Sequence, residues 1–125
     1  MVLQVALNNS CNFKCVYCTD HRPGNEVPRT GLQGRAWDEL FELIPRIEVL
    51  AFHGISEFFV DKRFFEVVER CAQAGASLSL NTNGSVATPK HVQLLKEYPG
   101  FLDVNFSLDA ATPATFLRIR GWDFD

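Results

Sequence analysis

The amino-acid sequence predicts an α/β fold built on a parallel, barrel-like sheet. Strand-like runs at residues 2–7, 47–52, 77–82 and 101–108 alternate with helical patterns, which is typical of βαβ units. The third and fourth runs alternate apolar with polar residues, whereas parallel strands covered on both faces are apolar almost throughout. One face of the sheet therefore suits helices and the other a polar cavity, which favours a barrel-like sheet over a doubly wound one.

Each predicted helix has its own signal. The segment 36–44 repeats apolar residues at helical spacing. Asp61 is the predicted N-cap of a helix that Gly75 ends. Thr88-Pro89 and Thr112-Pro113 each supply an N-cap followed by a proline in the first turn.

Length and composition limit the classes of protein to consider. The 125 residues suffice for one domain, and 46% apolar with 22% charged residues indicates a globular core. The net charge of −3, without a basic block, disfavours a nucleic-acid partner. No apolar run approaches the roughly 20 residues of a membrane span. Residues 1–11 contain no cationic lead-in, so we expect no signal peptide and a cytoplasmic protein.

Three of the four cysteines form a cluster on the loop after the first strand. Cys11, Cys15 and Cys18 have the spacing C-x3-C-x2-C, and soft sulfur ligands favour zinc or an iron–sulfur centre. No fourth Cys or His follows nearby to complete a tetrahedral zinc site. The alternatives are a structural zinc completed by His21 or His53, or three unrelated thiols.

Cys71 and His91 are expected to lie outside any functional site. Cys71 falls on the apolar face of its helix and is expected in the core. His91 is expected on a helix surface.

The cysteine loop resembles that of the radical SAM superfamily. The resemblance implies that Cys11, Cys15 and Cys18 hold a [4Fe–4S] cluster whose fourth iron is chelated by S-adenosylmethionine (SAM). Tyr17 occupies the aromatic position of the motif, where the neighbourhood packs against the adenine. The alternative from another class is a non-catalytic binding module stabilised by zinc or a cluster.

Further motifs follow in the order that the family shows. Gly54-Ile55-Ser56-Glu57 resembles the family's G-x-G-E-P stretch, which binds the methionine amino group, although Ser56 replaces a glycine and Phe58 the proline. An ordinary strand-to-helix turn would also explain this stretch. The family's other matching elements imply SAM-binding roles for Asn83 in a T-N-G turn, for Ser107 and Asp109 in an S-x-D element, and for Arg120.

The resemblance also implies a fold, an activity and partners. Members build a partial parallel β/α barrel of about six β/α units, and four are counted here, so residues 1–125 are expected to be a radical SAM core domain truncated at its C-terminus and catalytically incomplete. The implied reaction is reductive cleavage of SAM to a 5′-deoxyadenosyl radical that abstracts a substrate hydrogen. The implied partners are an electron donor such as ferredoxin or flavodoxin and a substrate that is a peptide or protein.

Overall fold

The computed structural model describes residues 1–19, 24 and 28–123, so that the candidate zinc ligand His21 lies outside the described residues. Four strands alternate with four helices along the chain. In order, these are β1 (Val2–Val5), α1 (Arg35–Leu43), β2 (Val49–Phe52), α2 (Phe64–Ala74), β3 (Ser77–Thr82), α3 (Pro89–Glu97), β4 (Phe101–Phe106) and α4 (Pro113–Arg120). Short 3₁₀ helices cover Ile44–Arg46 and Phe58–Val60. Every strand lies within its predicted run.

The strands form one parallel sheet in the order β1-β2-β3-β4. In its register Leu50 pairs with Leu3 and Leu78, whereas Ala51 pairs with Gln4 and Ser79. Because side chains alternate between faces along a strand, the sheet has one apolar and one largely polar face. This confirms the predicted division between a helix-covered face and a polar one.

Helices α1, α2 and α3 supply side chains to the core over the apolar face. Leu50, Leu78 and Leu80 of the sheet are fully buried there, as is Phe64 of α2. Cys71 lies in the same core, as predicted, and burial raises the pKa of its thiol to about 12. This cysteine is therefore a packing residue.

The predicted cap of α2 is wrong in position. The N-cap residue is Arg63, which makes no side-chain cap, and Asp61 lies two residues earlier. Its carboxylate accepts hydrogen bonds from the Arg63 backbone N–H at 3.0 Å and from Asn8 Nδ2 at 2.8 Å. Asp61 thus stabilises the turn before the helix, because the Phe64 N–H donates to the Asp61 carbonyl. The predicted end of α2 is confirmed, since Gly75 adopts φ 74° there.

The expected surface position of His91 is also wrong. His91 is only 6% exposed, because it sits in the first turn of α3 with its ring 4.7 Å from that of Phe65 and 4.4 Å from that of Phe59. The Thr88 backbone N–H donates to His91 Nδ1 at 3.0 Å, completing a capping box at the predicted Thr88 cap. Nδ1 is therefore used at the helix end, while the rest of the ring joins the core and its Nε2 is buried without a hydrogen-bond partner among the described residues.

Helix α4 packs against the cysteine loop. Its Phe116 contacts Phe13 with ring centroids 5.6 Å apart, and both rings are buried with Cys15 in a second, smaller core. Exposed apolar side chains lie at the carboxyl end of β4, since Phe106, its final residue, and Leu108, just after it, are each more than half exposed. Within residues 1–19, 24 and 28–123, no helix is long and apolar enough to cross a membrane.

Candidate cofactor site

A cavity of about 200 Å³ lies at the carboxyl ends of the strands. The segments that follow all four strands contribute to it. Its walls are formed by Cys11, Phe13, Cys15, Tyr17, Cys18, Gly54, Ile55, Ser56, Glu57, Asn81, Thr82, Asn83, Ser107 and Arg120. Three larger depressions on the described surface, of about 360, 380 and 430 Å³, are not lined by a thiol. The chemistry of the lining, and not its volume, makes the smaller cavity the candidate site.

The three clustered cysteines all face this cavity as free thiols. Cys15 is 7% exposed, while Cys11 and Cys18 are half-buried. The loop that carries them is fixed by two backbone hydrogen bonds to the end of α4, from Lys14 N to Arg120 O at 3.0 Å and from Val16 N to Ile119 O at 2.9 Å. The three sulfur ligands therefore lie on one loop, which α4 fixes through the residues on either side of Cys15.

Two N–H groups point at the sulfurs. Arg120 Nη1 donates to Cys15 Sγ at 3.3 Å, and Asn83 Nδ2 lies 3.9 Å from Cys11 Sγ. Burial raises the pKa of the Cys11 thiol, and the nearby Glu57 raises it further. Thiolates bound to iron accept hydrogen bonds from such N–H groups, and these bonds help to set the properties of iron–sulfur sites.

The ligand set fits an iron–sulfur cluster. In the described part of the chain, no three His, Cys, Asp or Glu side chains are placed to hold one metal ion. In a [4Fe–4S] cluster each thiolate binds a different iron, so the sulfurs need to face one cavity but not one point. The three thiols meet that requirement, because all of them line the same cavity. The N–H groups of Arg120 and Asn83 are in addition available to donate hydrogen bonds to two of the sulfurs.

Glu57 joins the turns that follow β2 and β3. It is 2% exposed, and its carboxylate accepts hydrogen bonds from Asn83 N at 2.7 Å, Thr82 Oγ1 at 2.8 Å and Phe59 N at 3.3 Å. Burial raises the pKa of Glu57, and these hydrogen bonds oppose that rise. Its own N–H donates to Ser10 O at 3.0 Å, next to the first cysteine. Both carboxylate oxygens are thus used by the protein itself.

The departures from the family's G-x-G-E-P pattern fit the local backbone. Gly54 adopts φ 149°, which side-chain-bearing residues rarely reach. Asp109 is the one non-glycine residue with positive φ among residues 1–19, 24 and 28–123, so Ser56 needs no glycine conformation. Phe58 is 3% exposed and packs 5.5 Å from the ring of Phe52, so it serves the core.

Asp109 differs from the other predicted SAM-binding residues because it does not line the cavity. Its carboxylate pairs with the Arg120 guanidinium and accepts the Tyr17 hydroxyl. Burial and then the hydrogen bond to Asp109 raise the pKa of the Tyr17 hydroxyl. Arg120 also donates to the Ser107 carbonyl. Tyr17, Ser107, Asp109 and Arg120 therefore form one hydrogen-bonded network beside Cys15.

Three lining residues are missing from the predicted set. The alternation of 77–82 places Asn81 on the polar face, and this pattern was sufficient to find it. Thr82 belongs to the T-N-G turn, but its buried bond to Glu57 has no sequence signal. Phe13 lies between two of the cysteines. His53, the other alternative zinc ligand, is not among the lining residues and lies 3.1 Å from Ser79 Oγ through Nε2.

Comparison with known proteins identifies the class. The family model of the radical SAM superfamily matches residues 5–125, and the chain belongs to that superfamily. A GTP 3′,8-cyclase of Aliarcobacter butzleri is 29% identical over 130 residues, covering 97% of this chain and 38% of that protein. A GTP 3′,8-cyclase of Mycobacterium ulcerans is 35% identical over 130 residues, covering 97% and 34%.

Other relatives differ in name but share the fold or part of the sequence. The tungsten-containing aldehyde ferredoxin oxidoreductase cofactor-modifying protein of Pyrococcus furiosus is 28% identical over 119 residues, covering 90% of this chain and 32% of that protein. The crystal structure of BtrN in complex with AdoMet and 2-DOIA superposes with a TM-score of 0.70 at 22% identity, covering 89% of this chain and 46% of that one. This likeness confirms the predicted α/β partial barrel.

The chain spans about a third of the length of these curated relatives and about half of BtrN. Radical SAM enzymes use a [4Fe–4S] cluster and SAM, so membership confirms the predicted cofactor pair at the level of the family. Such enzymes also generally need an electron donor.

Proposed function

We propose that this chain binds a [4Fe–4S] cluster through Cys11, Cys15 and Cys18 and binds SAM beside it. The observation that carries the proposal is the single cavity that these thiols share with the segments after all four strands. When bound, the cluster supplies the electron that cleaves SAM reductively to methionine and a 5′-deoxyadenosyl radical, which abstracts a substrate hydrogen.

The chain's own residues have distinct parts in this proposal. The turn from Gly54 to Glu57 offers backbone groups to the methionine end of SAM, and Glu57 holds that turn against the turn containing Asn83. Ser107 lines the cavity from the segment after β4, and this position supports the proposal that it binds the ribose hydroxyls. Tyr17 borders the cavity on the cysteine loop, on the side proposed for the adenine.

Anaerobic reconstitution with iron and sulfide tests the cluster. We expect a brown protein with a charge-transfer band near about 400 nm and an iron content of about four per chain. Cys15→Ala is expected to lose both. Cys71→Ala is the matched control, because Cys71 is fully buried in the core far from the ligand loop in sequence, and it should retain the band. A colourless wild-type protein, or one that takes up a single zinc, would contradict the proposal and favour the zinc-stabilised binding module.

Partners and setting are proposed on chemical grounds. Reduction of the cluster needs a one-electron donor, for which ferredoxin or flavodoxin is suited. The described cysteines are free thiols, and a reducing compartment such as the cytoplasm maintains that state. A peptide or protein substrate stays a prediction, and the names of the GTP 3′,8-cyclases add a small molecule as the competing class.

We also propose that residues 1–125 are one part of a longer radical SAM core and are catalytically incomplete alone. The support is the fraction of each relative that they cover, and the exposed apolar side chains of Phe106, Leu108 and Trp122 beside β4. Size-exclusion chromatography and a SAM-cleavage assay on the 125 residues test this. We expect self-association and at most uncoupled SAM cleavage, and a stable monomer with substrate-coupled turnover would contradict it.

A further inference from the structure

The side chain of Arg120 is buried against a ligand of the proposed cluster. Arg120 is 5% exposed, and its Nη1 donates to Cys15 Sγ at 3.3 Å. Its Nη2 is bonded to the Ser107 carbonyl and paired with the Asp109 carboxylate. Its Nε is buried and has no partner among the described residues. A permanent cation is therefore held next to one sulfur in a place that water reaches poorly.

The position of this cation is fixed by the backbone. The carbonyls of Ile119 and Arg120 accept hydrogen bonds from the cysteine loop on either side of Cys15. The next residue, Gly121, has φ 63° and no room for a side chain, because a Cβ there would lie 2.9 Å from Lys14 O. Helix α4 and the loop are thus in register, and the contact between guanidinium and sulfur follows from that register.

A cation that donates to a cluster thiolate changes the free energy of reduction. Reduction adds one negative charge to the cluster and its ligands, and a buried positive group stabilises the more negative state. Hydrogen bonds to the sulfurs are among the factors that set the potential of an iron–sulfur cluster. Asp109 beside Arg120 opposes part of this effect, since its carboxylate is close to the same guanidinium.

We propose that Arg120 is a positioning residue that raises the reduction potential of the cluster through its hydrogen bond to Cys15. This inference rests on the proposed function, and it gives Arg120 a role separate from the contact with the SAM carboxylate that the family resemblance implies. The two roles differ in what they need. The effect on the potential is present without SAM, whereas a carboxylate contact is visible only when SAM is bound.

The test is a redox titration of the reconstituted protein without SAM, followed by the electron paramagnetic resonance signal of the reduced cluster. At a fixed poise, we expect Arg120→Gln to lower the ratio of reduced to oxidised cluster about tenfold, which for a one-electron couple is about 59 mV. Arg120→Lys should give a smaller decrease, because it keeps the charge but loses the planar fork. Arg118→Gln is the matched control, since it removes the same charge from an exposed position on the same helix, and it should change the ratio less than twofold.

A second variant should shift the ratio of reduced to oxidised cluster in the opposite direction. Asp109→Asn removes the opposing carboxylate while keeping the cation, so it should raise the ratio of reduced to oxidised cluster. This variant also decides the matter if Arg120→Gln fails to hold a cluster. A ratio unchanged in Arg120→Gln, or changed as much in Arg118→Gln, would overturn the inference, as would a ratio that Asp109→Asn leaves unchanged or lowers.

The outcomes also separate this inference from the proposed function. Failure of the wild-type protein to assemble a cluster contradicts the proposed function itself. A cluster whose potential ignores Arg120, combined with weaker SAM binding by Arg120→Gln in calorimetry, contradicts the inference alone and assigns Arg120 to SAM.

Discussion

Removing the carboxylate of Glu57 is expected to separate the turns after β2 and β3. In Glu57→Ala, the N–H groups of Asn83 and Phe59 and the hydroxyl of Thr82 lose their acceptor. A buried donor left without a partner costs about 1–3 kcal/mol. Asn83 is partly exposed and Phe59 N is bonded at a long 3.3 Å, so water and weak geometry reduce the sum. We expect a loss of about 4 kcal/mol in the free energy of unfolding.

Glu57→Gln is expected to cost less, about 1–2 kcal/mol. Its amide oxygen can face the Asn83 N–H, and its NH₂ can donate to Thr82 Oγ1, which leaves the Phe59 N–H unpaired. Loss of the charge also relieves the burial cost that raises the pKa of Glu57. Both variants remove the charge, so a lower stability of Glu57→Ala than of Glu57→Gln reports on the hydrogen bonds separately from the charge.

Urea unfolding followed by circular dichroism measures these changes, and amide hydrogen exchange reports on the Asn83 N–H directly. Glu69→Ala, at an exposed position on α2, is the control and should change stability by no more than about 0.5 kcal/mol. A loss below about 1 kcal/mol in Glu57→Ala, or unchanged protection of the Asn83 amide, would refute the role of Glu57 in joining the turns.

Two further predictions concern the core around α2 and α3. Phe58→Pro, which restores the family's residue, should lower the free energy of unfolding by about 3 kcal/mol, because it empties a buried aromatic site. Ser56→Gly should be nearly neutral in the same chemical unfolding experiment. Equal stabilities of the two variants would show that Phe58 does not serve the core. Burial, and then the Lys90 charge, lower the pKa of His91, so its contribution to stability is complete above about pH 6.5 and declines as the pH falls toward the folded-state pKa. His91→Gln keeps a capping residue and should flatten that decline in pH-dependent unfolding, whereas parallel pH profiles would contradict it.

The strand positions and the two faces of the sheet were predictable because both depend on local patterns, and the candidate cluster ligands were recognisable for the same reason. Alternation in 77–82 determines which face each residue occupies, and the cysteine spacing is contained in eight residues. The burial of His91 was not predictable, because the rings that cover it come from a segment about 30 residues earlier in the chain. Periodicity within α3 alone cannot report on such a neighbour.

The partners of polar side chains were the least predictable feature. Glu57 was predicted to bind SAM within a stretch that acts through its backbone, and no sequence pattern indicated that its carboxylate is used by Thr82 and Asn83. These residues become close to Glu57 only when β2 and β3 pair. The contact of Arg120 with Cys15 joins residues separated by 105 positions. No local pattern carries such a contact, since it depends on where α4 is placed by the whole fold.

The distance along the chain between the cysteine loop and α4 has a consequence for biosynthesis. The residues that fix the cysteine loop are synthesised about 100 positions after it, which at 5–20 residues per second is roughly 5–20 s later. Before Ile119 and Arg120 emerge, Lys14 and Val16 lack the carbonyls that hold them. The ligand loop therefore reaches its final geometry only after α4 has been made, well after the cysteines themselves have been synthesised.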